Sequence, residues 1–260
     1  MAKIGLMNSR GPYIAILVPN SFEMDPLVEN KKVIIVMTRL SMVASFFLFS
    51  FFFILLRLNV GITTDLLLAL FEVKGVVHYG IAGNAIPQLQ IGDVNIPQYW
   101  AHTGLWNWQL ALESNGDYTR EIGYLEFANY NNASQSEKEE VGNLLIRDLK
   151  LGACVNSLTC LPRAPRVVMV ERGVSTNVFV DNKAYREFLR SKFDAVPIDM
   201  ESAGVALVCS RLGTPFIALR SLPDLAGGGS SRSNEAYTYT SLTAQKVVDA
   251  AIKFISLLPS

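Results

Sequence analysis

Four short stretches of the chain carry side chains able to handle a sugar, a base and a proton. They are Phe22-Glu23, Gly80-Ile81-Ala82-Gly83-Asn84, Asn177-Val178-Phe179-Val180, and Asp199-Met200-Glu201 with Asp224 beyond it. Taken singly, each has an ordinary structural reading. The small residues at 80–84 make a tight turn as readily as they let a backbone approach a ligand and offer it N–H donors. Glu201 opens an apolar helical stretch, where the helix dipole favours a carboxylate. Asp224, after Pro223, serves equally as a turn residue, and Phe179 is by default core. Together they fit one reaction. Breaking a purine N-glycosidic bond gives the sugar oxocarbenium character, so an enzyme must hold the ribose hydroxyls, stack the base and protonate the departing purine. A carboxylate accepting from paired hydroxyls, an aromatic face and a protonated Asp meet those needs.

Competing chemistries find less support. His78 lies inside an apolar strand and reads as a satisfied core histidine, while His102 has no partnered nucleophile nearby. No nucleophile elbow is present, which leaves Ser-His-Asp and Cys-His enzymes without a basis. Cys154, Cys160 and Cys209 with the two histidines lack zinc-like spacing, so no metal ligand is assigned. The three cysteines do not form a disulfide framework, although Cys154 and Cys160 are near enough in sequence to close a loop.

The elements that must position these residues alternate. Tyr13-Ile14-Ala15-Ile16-Leu17-Val18 and Val33-Ile34-Ile35-Val36-Met37 read as buried strands, 61–71 as a helix and 75–83 as a strand with a Gly-rich exit. Further on, 166–170 reads as a strand, 183–192 as a polar helix, 200–212 as a helix, 215–221 as an apolar strand and 241–258 as an amphipathic helix. Continuously apolar strands alternating with helices predict a mainly parallel sheet covered on both faces, a three-layer α/β/α sandwich. Sites in such sheets gather at the carboxyl ends of the strands.

Composition bounds the partner. The 260 residues carry 23 basic and 23 acidic side chains with no run of Lys or Arg, so neither nucleic acid nor anionic lipid is an expected partner; a small molecule is. A chain of this length buries enough surface to fold as one domain without a staple. Its N-terminus has too short an apolar run for a signal peptide, so as written it is expected in the cytosol, and in a vacuole or outside the cell if a leader precedes this start. The run 40–56 is uncharged and rich in Phe and Leu. It falls short of the ~20 residues of a bilayer span, and a membrane location is not expected.

Three runs in order, Gly80-Ile81-Ala82-Gly83 with Ile91-Gly92-Asp93-Val94, Ile198-Asp199-Met200-Glu201-Ser202-Ala203, and Arg220-Ser221-Leu222-Pro223-Asp224-Leu225-Ala226, resemble the nucleoside phosphorylase superfamily. The nearest branch is similar to plant bark and vegetative storage proteins and their methylthioadenosine nucleosidase-like relatives. The resemblance extends over most of the chain. It implies a homo-oligomer acting on a purine nucleoside without a cofactor, with phosphate as the co-substrate if the reaction is phosphorolysis. It further implies that Glu201 binds the ribose hydroxyls, Met200 packs on the sugar, Phe179 stacks on the base, and Val180 offers backbone contacts. By the same resemblance Asp224 protonates N7 of the purine, Glu23 lies where water is activated, and Ala82 and Gly83 line the floor near the nucleophile. The alternative it carries is a storage or wound-induced protein that keeps the fold without turnover.

Two departures stand out. Pro223 sits where the nucleosidases commonly carry a hydroxyl-bearing residue. The stretch 43–57 interrupts what should be a short loop from the second strand into the helix at Gly61. Its Phe, Leu, Ser and Ile are what pyrimidine-rich DNA mostly encodes, and translated intron or an error in the gene's assigned exons is the expected origin. Sequencing the spliced transcript is expected to find these codons missing; their presence in mature messenger RNA defeats the idea.

Overall fold

The structure, a computed structural model, describes residues 2–19, 33–38, 49–106, 122–128, 143, 145, 149–227 and 231–258. Glu23, Arg39 and the first part of the apolar run lie outside them.

The first strand shows how the sequence sets the layers. β1 (Tyr13–Val18) is buried at every residue. Ile14, Ile16 and Val18 enter one core, and Tyr13, Ala15 and Leu17 the other. Side chains alternate across a strand, so a continuously apolar run needs cover on both faces. One face is covered by the last helix, α5 (Ser231–Leu257), through Val247, Val248, Ala251 and Phe254. The other is covered by Val60 and Leu67 of α2 (Phe49–Leu70) and Val205 and Cys209 of α4 (Ser202–Leu212). This is the expected α/β/α layering. Two more helices are α1 (Ala2–Asn8) and α3 (Lys183–Phe193).

The remaining strands are β2 (Val33–Met37), β3 (Val73–Ile81), β4 (Gly83–Asn84), β5 (Val94–Trp106), β6 (Ile122–Ala128), β7 (Val167–Ser175), β8 (Ala195–Asp199) and β9 (Phe216–Ser221). They form one sheet in the order β2-β1-β3-β9-β5-β7-β8-β4, with β6 on β5. The pairs β1·β2, β1·β3, β3·β9, β5·β7 and β7·β8 are parallel; β4·β8, β5·β6 and β5·β9 are antiparallel. The sheet is therefore mixed, with a parallel majority. Only Ala82 separates β3 from β4, yet β4 lies at the far end of the strand order. The sheet curls round until its last member meets the chain that left its third.

Neither β5 nor β8 is legible from hydropathy. Pro97 and Pro197 interrupt them, and Asn95, Gln98, His102 and Thr103 dilute β5. The last helix begins ten residues before the expected 241, at Ser231. The chain from Phe49 is already helical and runs unbroken to Leu70, so the later part of the apolar stretch and the expected helix at Gly61 are one element. No helix among the described residues is long and apolar enough to cross a membrane. Cys154 and Cys160 are joined in a disulfide, while Cys209 is buried with its thiol pushed by that burial up to about 12.

Candidate active site

β4 is the piece that gathers the site. On one side Gly83 and Asn84 pair with Ile198 and Pro197 of β8, two residues ahead of Met200. On the other, Asn84 N–H donates to the Asp224 carbonyl at 3.0 Å and the Asn84 carbonyl accepts from Ala226 N–H at 2.9 Å. Ala82, Gly83, Met200, Glu201 and Asp224 thus meet at one edge. Val180 joins them from the loop after β7, packing in a cluster with Ala85, Ile198 and Ala226. Phe179 is 67% exposed, so it is not the core residue that its type suggests. The roles assigned to Glu23 concern a residue outside the described set.

Two glycines make close approaches that the site depends on. Gly83 leaves room for Ala226, whose Cβ would lie 2.8 Å from an added one. Gly227 has φ +70, and a Cβ there would lie 2.3 Å from the Asn182 backbone nitrogen. Asn182 caps α3, its side chain accepting from Tyr185 N–H, and Arg186 of the same helix donates to the Ala226 carbonyl at 2.9 Å. The segment after Asp224 is therefore clamped to the start of α3. Gly227→Ala combines a strained backbone with a clash against backbone that cannot move away, and it is expected to lower stability by about 1–3 kcal/mol or more, read as a fall in Tm.

Asp224 is half-buried. Burial, helped by the nearby Asp181 carboxylate, pushes its carboxyl up to about 6. Such a group keeps its proton up to about pH 6, well above the ordinary carboxylate range, and can give it away there.

Glu201 sits over a buried polar node centred on Arg220. The guanidinium is fully buried on β9, 2.7 Å from Asp199 Oδ2 and 3.7 Å from Glu201 Oε2. Its Nη2 also donates to Ser202 Oγ at 2.9 Å. Ser175 and Ser202 hydroxyls donate to Asp199, and Ser202 N–H reaches the same carboxylate at 3.1 Å. Asp199 thereby satisfies the first N–H of α4, and Ser175 Oγ accepts from the next, Ala203 N–H, at 2.9 Å. Burial pushes the Asp199 carboxyl up, but Arg220 and the two serine hydroxyls outweigh it and hold it below the usual carboxylate range. Trp100 stacks beneath, its ring 5.9 Å from Arg220 Cζ. It fits there because position 173 is glycine, where a Cβ would lie 2.6 Å from the indole.

His78, Asp199 and Glu201 offer ligand atoms within 4.8 Å of one another. Arg220 already contacts all three, so a cation entering that space would meet the guanidinium charge. Sequence reasoning passes over Ser175 and Asp181, and gives Asp199, Ser202 and Arg220 no role of their own within the runs that contain them. The available signal was Arg220 itself, a permanent charge at the end of the apolar run Phe216-Ile217-Ala218-Leu219.

The family model described as Phosphorylase superfamily matches residues 14–257, from β1 to the last turn of α5. The chain belongs to this superfamily. Bark storage protein A of Populus deltoides is 30% identical over 227 residues, spanning 78% of this chain and 71% of that protein. A 5'-methylthioadenosine/S-adenosylhomocysteine nucleosidase of Marinomonas sp. is 32% identical over 182 residues, 70% of this chain and 69% of its own. In fold, this phosphorylase-superfamily chain is similar to the Helicobacter pylori nucleosidase crystallised with butyl-thio-DADMe-Immucillin-A, with TM-score 0.66, 19% identity and coverage of 95% and 98% of the two chains. A Neisseria meningitidis nucleosidase in complex with methylthio-immucillin-A gives TM-score 0.67 at 16% identity, over 95% and 99%.

Proposed function

We propose that this chain cleaves the N-glycosidic bond of purine nucleosides by hydrolysis. The observation that carries the reading is the meeting of a carboxyl raised to about 6 with a second carboxyl group 3.7 Å from Arg220, both beside the glycine strip at Gly83. A developing oxocarbenium ion needs its hydroxyls held by an acceptor, and the leaving purine needs a proton at N7. Glu201 is assigned the first task and Asp224 the second. Exposed Phe179 supplies a ring for the base, Met200 and Val180 line the sugar and base, and Ala82 and Gly83 form the floor. Glu23 is assigned to water activation from the family resemblance alone. The relatives whose names describe nucleosidases support this reading.

Water is favoured over phosphate as the nucleophile because phosphate needs cationic ligands, and Arg39 is the only Arg in the relevant loop. Release of adenine from 5'-methylthioadenosine by the purified protein, unchanged in rate by added phosphate, tests both points. A second reading is kept by the 30% identity to a bark storage protein: a protein retaining the fold without turnover. No adenine release above a buffer blank decides for it.

A further inference from the structure

His78 lies within β3, fully buried, and has no part in the chemistry above. Both of its ring nitrogens are engaged. Nδ1 is 3.1 Å from the Leu17 carbonyl, which can only accept, so Nδ1 carries the proton. Nε2 is then an acceptor, and Arg220 Nη2 donates to it at 2.5 Å. A protonated ring would set donor against donor. Burial, reinforced by the Arg220 charge, keeps the imidazole neutral, pushing its pKa down to about 3. Leu17 belongs to β1 and Arg220 to β9, the two neighbours of β3. The ring therefore ties the guanidinium to a carbonyl two strands away. A guanidinium is planar and rigid, so fixing Nη2 against His78 fixes the remaining donors. The same Nη2 is the atom 3.7 Å from Glu201 Oε2.

We propose that His78 is a positioning residue for ribose recognition: as an obligate acceptor it sets the rotation of the Arg220 guanidinium, and through it the place of the Glu201 carboxylate that receives the sugar hydroxyls. This rests on the role given to Glu201 above. A histidine that merely fills the core would affect every ligand alike, whereas one acting through Glu201 affects the ligand only when the hydroxyl is present.

Two amides separate the ring nitrogens, since Gln reaches the place of Nε2 and Asn that of Nδ1. The test is calorimetric binding of 9-deazaadenosine, whose carbon–carbon link between base and sugar resists cleavage, and of its 2′-deoxy form, to full-length wild type, H78Q, H78N and E201Q. Wild type and H78Q are expected to prefer the riboside by the same ratio. H78N is expected to bind the riboside about tenfold more weakly while its affinity for the deoxy form stays within about twofold. E201Q is expected to erase the preference. If E201Q erases it and H78N keeps it, or if H78N weakens both ligands equally, the proposal for His78 is overturned and the reading of Glu201 stands. If E201Q keeps the preference, both fall. Should H78N fail to fold, the ring nitrogen signals of wild type decide, there being only His78 and His102 to assign. The riboside is expected to shift the His78 Nε2 resonance and the deoxy form to leave it in place; a resonance indifferent to that hydroxyl overturns the proposal.

Discussion

Asp224→Asn is expected to reduce kcat/KM for adenine release from 5'-methylthioadenosine by about 10²–10⁴-fold, the range set by removing a positioned general acid. Asparagine keeps the shape and loses the transferable proton. In the wild type the acid must be protonated to act, so activity is expected to fall as pH rises through about 6, the value to which burial and then Asp181 push the group. The variant's residual rate should lack that limb. Stability runs the other way. The folded pKa of Asp224 lies above its unfolded value, so its contribution is fully present below the ordinary carboxylate range and is lost as pH rises through about 6. Above that pH the wild type carries a half-buried charge beside Asp181, and the Asn variant is expected to show an equal or higher Tm. A variant that loses activity by unfolding would show a lower one. An unchanged rate in Asp224→Asn would mean that the activity belongs to another protein or another acid.

Arg220→Met is expected to be the most damaging single change in the node, costing about 3–5 kcal/mol because two carboxylates are left in a buried site without their cation. Asp199 and Glu201 are both buried, and Arg220 lies within 2.7 and 3.7 Å of them. The sign of the pH response is the diagnostic. In the wild type the Asp199 carboxyl is held below the usual range, so its contribution is present above the unfolded value and lost as pH falls through the folded one. Removing Arg220 leaves burial unopposed by its largest counterweight. The Asp199 carboxyl is then expected to move up under burial, and acidification should narrow the gap in Tm between variant and wild type. A gap that widens on acidification would show that Arg220 does not stabilise these carboxylates. Because Trp100 lies under the guanidinium at 5.9 Å, the variant also loses a cation–π contact, and near-ultraviolet circular dichroism of the indole reports that loss separately.

The outer features of this fold were readable because they obey simple periods. β1 and the first four residues of β9 are apolar runs whose alternate residues feed opposite cores, and α3 and α4 end on Asp194 and Gly213 in the left-handed conformation after basic last turns. The carboxylates at 201 and 224 were readable as types, and the resemblance gave them order. The node beneath them was not. Asp199 enters the sequence reading only as part of the run Asp199-Met200-Glu201, yet it accepts from the Ser202 N–H that opens α4 and balances Arg220, and nothing in its neighbours' hydropathy says so. β8 hides behind Pro197, and β4 is two residues long. Such elements are specified by what they meet, Ile198 and Ala226 in the case of Gly83, and partners distant in sequence leave no local pattern.

The curl of the sheet has a consequence for how the protein responds to ligand. Gly83 and Asn84, together with Ala85 N–H donating to the Val196 carbonyl at 2.8 Å, act as a clasp that joins β8 to the strand leading in from β3. The clasp holds the two arms of the chain that carry Glu201 and Asp224 beside one another. A ligand held by both arms should therefore bind the finished ring and not an opened form, and should raise Tm with its concentration as RT ln(1 + [L]/Kd) requires.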